Sequence, residues 1–237
     1  MRVLFGRRMN SDYALVLQRL IEYRKAKHLS QKDVCERLGI SQSTYSKMET
    51  GAKKISYDML CKLQTLGIDI DYLITGRVDE DSENQLADCY RLIDPEKKNE
   101  FSRIIMILLK EQMADSDKEP IEIQLLKDYL ENGQMNDYSV IVSLRKIRNV
   151  NQEMMREELE TYVKKLRNIE KGREYPDASI LTLLYTKYQC RPSYIINNAI
   201  SQEKVLGELW AKYHMGNKPM YMDYLQKTIK ILQDKKS

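Results

Sequence analysis

Residues 29–51 read LSQKDVCERLGISQSTYSKMETG, and this stretch decides the fold. Ser30 stands where a helix N-cap supplies a side-chain oxygen to orphan amides, and Val34, Cys35 and Leu38 follow at helical spacing. Gly39 falls where the chain must turn sharply, a position that favours positive φ. Ser41 caps the next helix, which ends before Gly51. Ile40, Tyr45 and Met48 face inward, leaving Gln42, Ser43, Thr44 and Lys47 on the outer side. The pattern is helix, tight turn, helix.

Working outward, Leu15, Val16, Leu17, Leu20 and Ile21 predict a helix from Asp12 to about Ala26. Ser56 or Asp58 opens a fourth helix, with Met59, Leu60, Leu63 and Leu66 inward and Gly67 as its stop. Ile70-Asp71-Tyr72-Leu73-Ile74 forms a short fifth, ended by Gly76. An acidic linker, VDEDSENQ, occupies 78–85. A helix over 86–92 follows, then a restart at Asp94-Pro95-Glu96. The next helix carries Phe101, Ile104, Ile105, Ile107, Leu108 and Leu109, a wide stripe that needs a partner in its own domain or in another subunit. Residues 114–120 make a second polar break.

The chain has 237 residues, with only 9 Gly and 5 Pro, which favours long helices over turn-rich sheets. Mean hydropathy is −0.58 and no apolar run approaches the roughly 18–20 residues that span a bilayer, so a membrane location is not expected. The start, MRVLFGRRMN, lacks the apolar core of a signal peptide, and Arg2, Arg7 and Arg8 read as a tail or a groove-seeking arm. Four scattered cysteines without a CxxC pair, and two distant histidines, give no metal site and no disulfide framework. Reduced thiols in a cytoplasmic protein are the expectation. The net charge of +4 is segregated: residues 1–77 and 141–237 are basic, and 78–140 are acidic. Basic lobes suit a polyanion.

The two halves align at an offset of 121, with residues 20–67 lying on 141–188 without a gap. Ten of these 48 pairs are identical, including Arg24/Arg145, Gln31/Gln152, Leu38/Leu159, Glu49/Glu170 and Gly51/Gly172. Chance would give about three. A helical pair follows each half, over 86–112 and over 202–213 with 219–233. This reads as an internal duplication.

The first half, over roughly 14–76, resembles the Cro/repressor-type (XRE) helix-turn-helix family. Arg24, Leu29-Ser30-Gln31, Val34, Leu38-Gly39-Ile40-Ser41, Tyr45-Ser46-Lys47-Met48-Glu49, Gly51, Leu60 and Tyr72-Leu73 carry the resemblance. It implies an all-α chain of tandem lambda-repressor-like five-helix domains, each followed by a helical extension. The domains are 12–77, a 78–120 linker and extension that could dimerise, a degenerate second domain over 121–200, and a C-terminal helical pair over 201–237.

The resemblance also implies that helix 41–49 enters the DNA major groove, with Gln42, Ser43, Thr44 and Lys47 at base edges. Gln can pair bidentately with adenine and Lys can donate to guanine. Gln31, Ser46, Lys53 and Lys54 are the implied phosphate contacts. Arg24 and Glu49 are implied to form a structural ion pair. The second half keeps the frame but replaces Gln42, Ser43 and Thr44 by Val163, Lys164 and Lys165, and Gly39 by Glu160. Three uses stay open for it: protein contact, a second DNA reader, or ligand binding.

The expected function is sequence-specific transcription regulation, as a repressor, on double-stranded DNA and as a homodimer. A protein partner through the second domain is the further expectation. The rival is a protein-interaction module of antitoxin or adaptor type. No phosphate-cradling loop or nucleophile–base pair suggests an enzyme, and neither catalytic residues nor a cofactor are expected. The tyrosines of the second half (Tyr162, Tyr175, Tyr185, Tyr188, Tyr194) read as helix packing, and Trp210 and Tyr213 as anchors of the last helices.

Overall fold

A computed structural model of the chain describes residues 11–77, 85–113, 119–135 and 137–234. The arm at Arg2, Arg7 and Arg8, most of the acidic linker and most of the 114–120 break lie outside the described residues. Among the described residues every regular element is helical. The first five are α1 (Ser11–Ala26), α2 (Gln31–Leu38), α3 (Gln42–Glu49), α4 (Tyr57–Thr65) and α5 (Ile70–Thr75). Next come α6 (Gln85–Arg91), α7 (Lys98–Gln112) and α8 (Ile121–Asn132). They are followed by α9 (Val140–Ile147), α10 (Gln152–Glu158), α11 (Val163–Glu170), α12 (Ala178–Tyr188) and α13 (Pro192–Asn197). The last two are α14 (Gln202–Lys212) and α15 (Pro219–Asp234).

These helices form two compact units, one of α1–α5 with α9–α13 and one of α6–α8 with α14 and α15. Helix α8 therefore belongs with the helical extensions, not with the 121–200 stretch to which the sequence reading assigned it. The charge follows the same division. The stretches 1–79 and 139–198 hold 25 Lys and Arg against 16 Asp and Glu, a net of +9, while the rest holds 14 against 19, a net of −5.

In the first unit the caps act as the sequence predicts. The Ser30 hydroxyl accepts from the Asp33 amide at 3.1 Å, and the Asp33 carboxylate accepts from the Ser30 amide at 2.7 Å, a reciprocal capping box. Ser41 accepts from the Thr44 amide at 3.2 Å. Val16, Leu20, Leu60, Leu63 and Tyr45 are buried together in the core, whereas Leu15, placed on the apolar face by its spacing, is exposed. Side chains of α1 close the ends of other helices. Arg19 donates to the Leu73 and Ile74 carbonyls at 3.0 Å, a cation at the C-terminus of α5. Tyr23 donates to the Leu66 carbonyl at 2.6 Å, and Lys62 of α4 donates to the last carbonyl of α2, Leu38, at 3.1 Å.

The helices of 140–197 recur in the order of 11–75. Adding 121 to the bounds of α3 gives those of α11. Left-handed residues recur at the same offset: His28 and Asn149, Gly39 and Glu160, Gly51 and Gly172. Beyond α12 the offset grows to 122, matching Gly67 with Gln189 and Gly76 with Asn198. Helix α9 is the clearest departure, with 8 residues against 16 in α1.

In the second unit α14 packs against α6, α7 and α8, and α15 packs against α7. Phe101, Ile105 and Leu109 of α7 are buried, so the wide apolar stripe closes within its own unit, and only Ile107 of its large residues is well exposed. Trp210 is buried as an anchor, while Tyr213 is half-buried. The restart after Asp94 begins as a 3-10 turn over Pro95–Lys97 before α7. All four cysteines are free thiols.

Candidate nucleic-acid interface

Helix α3 presents a polar face held by a buried one. Tyr45, Met48 and Glu49 are buried, and Gln42, Ser43 and Lys47 are exposed. Thr44 and Ser46 are half-buried, and the Thr44 hydroxyl accepts from Ser41 at 3.0 Å. The turn before α3 places Gly39 at φ 62, and no atom lies within 4 Å of the point where a Cβ would stand, so backbone conformation and not crowding selects glycine there. Lys53 and Lys54 are exposed just beyond α3. The Lys54 ammonium donates to Ser179 Oγ at 2.8 Å, so one of its three donors is directed at α12.

One buried carboxylate fixes α3 to the rest of the five-helix segment. Arg24 Nε donates to Glu49 Oε1 at 2.6 Å and Arg24 Nη2 to Glu49 Oε2 at 3.1 Å, a two-pronged pair. The remaining Arg24 nitrogen donates to the Leu29 carbonyl at 3.0 Å. Gln31, assigned to a phosphate by the resemblance, directs its amide at Glu49 Oε2 at 2.7 Å. Burial alone would push the Glu49 carboxyl up, but the hydrogen bonds from Arg24 and Gln31 outweigh it and hold the pKa below the usual value. Burial pushes the pKa of the neighbouring Tyr45 hydroxyl up, and the Glu49 charge adds to the shift.

The same constellation recurs in the second segment. Arg145 Nε donates to Glu170 Oε1 at 2.9 Å and its Nη1 to the Val150 carbonyl at 3.4 Å, and Gln152 bonds the other Glu170 oxygen. The outer face differs. Val163 and Lys165 are half-buried, the latter paired with Asp177 at 3.0 Å. Lys164, Arg167, Lys171 and Arg173 are exposed. Helix α10 exposes Glu153 and Glu157, with Arg156 bonded to both. Glu160 holds the turn at φ 48, a conformation that costs a residue with a Cβ about 1–2 kcal/mol.

The two segments are locked together within their unit. The Ala178 amide donates to the Ile55 carbonyl at 2.9 Å, and the Ile55 amide donates to the Tyr13 hydroxyl at 3.0 Å. Burial pushes the Tyr13 hydroxyl pKa up to about 12. Buried Asp71 of α5 accepts from the Ser193 amide at 2.8 Å and from its hydroxyl at 2.7 Å, in the first turn of α13. Tyr57 and Tyr175 stack with ring centroids 3.9 Å apart. A cavity of about 290 Å³ beside this joint is lined by Lys54, Glu160, Thr161, Tyr162, Lys165, Asp177 and Ile180. Tyr188 and Tyr194 are buried as packing residues, but Tyr162 is exposed, and half-exposed Tyr175 packs on Tyr57.

Asp71, Tyr57 and Ser193 carry no local motif, and sequence reasoning passed over them. The one signal was an aspartate followed by apolar residues on both sides of a very short helix, which requires a buried partner for its carboxylate.

Residues 20–73 match the helix-turn-helix family model, and this likeness suggests a DNA-binding regulator of the XRE type. No curated protein and no solved structure matches the chain. Among the described residues no helix is long and apolar enough to cross a membrane, and no cluster of acidic, His or Cys side chains is arranged to hold a metal.

Proposed function

We propose that the protein is a sequence-specific transcription regulator that reads the major groove with α3 and represses by occluding a promoter. One observation carries the reading. Gln42, Ser43 and Lys47 stand exposed on a helix whose opposite face is buried and whose end is bolted by Arg24 and Gln31 to Glu49. A rigid helix with a polar outer face fits what groove recognition needs, because base-edge hydrogen bonds demand fixed donor positions. Lys53 and Lys54 follow as phosphate contacts, together with Ser46. Gln31, spent largely on Glu49, acts here mainly by holding α3 in place. The +9 charge of the stretches forming this unit favours a polyanionic partner.

We read α9–α13 as a second, degenerate copy of the same domain. The repeated Arg145–Glu170–Gln152 bonding and the left-handed residues at matching offsets support this. One chain then carries two helix-turn-helix frames, and a homodimer would carry four. The rival, a protein-interaction scaffold, draws its support from the second frame, where Val163 offers no hydrogen bond and α10 is acidic.

Selection of bound duplexes from a random library tests the reading. An enriched consensus that disappears with Gln42→Ala is the expected result. A promoter–reporter pair carrying that consensus then tests repression. Failure to retain any duplex in low salt sinks the regulator reading and leaves the scaffold reading.

A further inference from the structure

We propose that the second frame holds DNA through phosphates alone, so that one chain occupies an asymmetric site. One half would be read at base edges by α3, and the adjoining half gripped along the backbone of one strand. This rests on the reading of the chain as a DNA-binding regulator.

Three observations carry it. The first is the chemistry of α11. Lys164 and Arg167 on the helix, with Lys171 and Arg173 in the turn after it, are exposed. None of the four side chains is engaged in an ion pair among the described residues, and Lys165 alone is committed, to Asp177. Val163 stands where the first frame has Gln42, and Lys165 and Asn168, at the places of Thr44 and Lys47, are bonded to Asp177 and Glu174, so three of the four base-reading positions are lost while cationic charge has accumulated. The cations that remain, three of the four outside those positions, suit phosphate, which positions a protein without specifying sequence.

The second is placement. The joint ties residues of one frame close to their own counterparts in the other: Ile55 to Ala178, Tyr57 to Tyr175, and Asp71 to Ser193. Contacts between near-equivalent residues define an approximately isologous, twofold-like pairing. The bonded pair Ile55–Ala178 lies six residues after Glu49, the end of α3, and eight after Glu170, the end of α11. At about 3.5 Å per residue, with about 5 Å across the bonded pair, the ends of α3 and α11 lie no more than roughly 55 Å apart. Successive half-sites on one face of a duplex are about 34 Å apart, within that reach.

The third is the charge facing these cations. Helix α10 exposes Glu153 and Glu157 where a second strand would pass, and Glu153 replaces Lys32 of the first frame. Arg156 is already shared between those two carboxylates. The acidic edge repels one strand while the α11 side attracts the other, so the grip is one-sided.

The test uses the full chain and a duplex chosen from the random library. The wild-type consensus is expected to be non-palindromic, with hydroxyl-radical protection extending one helical turn beyond it on one strand. The combined variant Lys164→Ala/Arg167→Ala/Lys171→Ala/Arg173→Ala should keep the consensus but lose the flanking protection. Each lost phosphate contact lowers the slope of log K against log salt by about 0.9, so the slope should fall by about 2–4. Arg173→Ala alone, in a turn outside any helix, should lower it by about 1, and circular dichroism checks that both variants are folded. A palindromic consensus, or an unchanged slope in the folded variants, overturns the inference while leaving the regulator reading intact. If the wild type binds no duplex, both fall together. Loss of consensus in Gln42→Ala with the salt slope retained supports both.

Discussion

Replacing Glu49 by alanine should unlock α3 from the segment that carries it. Its carboxylate accepts from Arg24 at 2.6 and 3.1 Å and from Gln31 at 2.7 Å, and its side chain is only 5% exposed. Removing one partner of a buried ion pair costs about 3–5 kcal/mol, because the other charge is left without compensation. Arg24 retains 14% exposure and can recover some water, so the lower end, about 3 kcal/mol, applies. For a unit of this size that corresponds to a fall of about 10 °C in Tm. Far-UV circular dichroism follows the helices of both units. The single tryptophan, Trp210, is buried in the second unit and reports that unit by fluorescence. Glu49→Ala should therefore displace the dichroism midpoint more than the fluorescence midpoint. A loss below about 1 kcal/mol would refute the reasoning, since that is the worth of an exposed pair.

Further outcomes follow from the same contacts. The Glu49 pKa is held below its unfolded value, so the pair's stabilisation is present above the ordinary glutamate range and is lost as pH falls through the lowered folded value. The stability gap between wild type and Glu49→Ala should thus shrink in acid, as urea titrations across about pH 3–7 would show, and a constant gap would contradict it. Asp71→Ala removes both bonds to Ser193 and should cost about 2 kcal/mol while exposing the joint to limited proteolysis; unchanged cleavage would count against the lock. Glu160→Gly relieves a left-handed residue and should raise stability by about 1 kcal/mol by chemical denaturation, whereas a loss would mean that the Glu160 side chain contributes at the cavity.

Much of the first segment was legible because its signals are local. Ser30, Ser41 and Gly39 mark helix ends within a few residues of where they act, and apolar spacing identifies the buried side of α2 and α3. The ion pair was implied by the resemblance, and its 25-residue spacing occurs twice in the chain. The joint between the segments was not readable. Asp71 and Ser193 are 122 positions apart, and the apolar neighbours of Asp71 call for a partner without naming it, so only the folded chain brings them together. Gln31 carries a second role that the resemblance did not supply, because its amide bonds Glu49 in this chain. The allocation of α8 escaped for a related reason. Its amphipathic pattern shows that a face must be covered but carries no record of which helix, here α14, covers it.

The central claim is that α3 reads base pairs, and an anisotropy titration tests it most directly. The full chain is titrated against its selected duplex and a scrambled one at fixed salt, alongside Gln42→Ala. The account predicts tighter wild-type binding to the selected duplex, and a loss of about 1–3 kcal/mol of that preference in the variant with non-specific binding kept. Equal wild-type affinity for both duplexes, or a preference that survives the substitution, would contradict it.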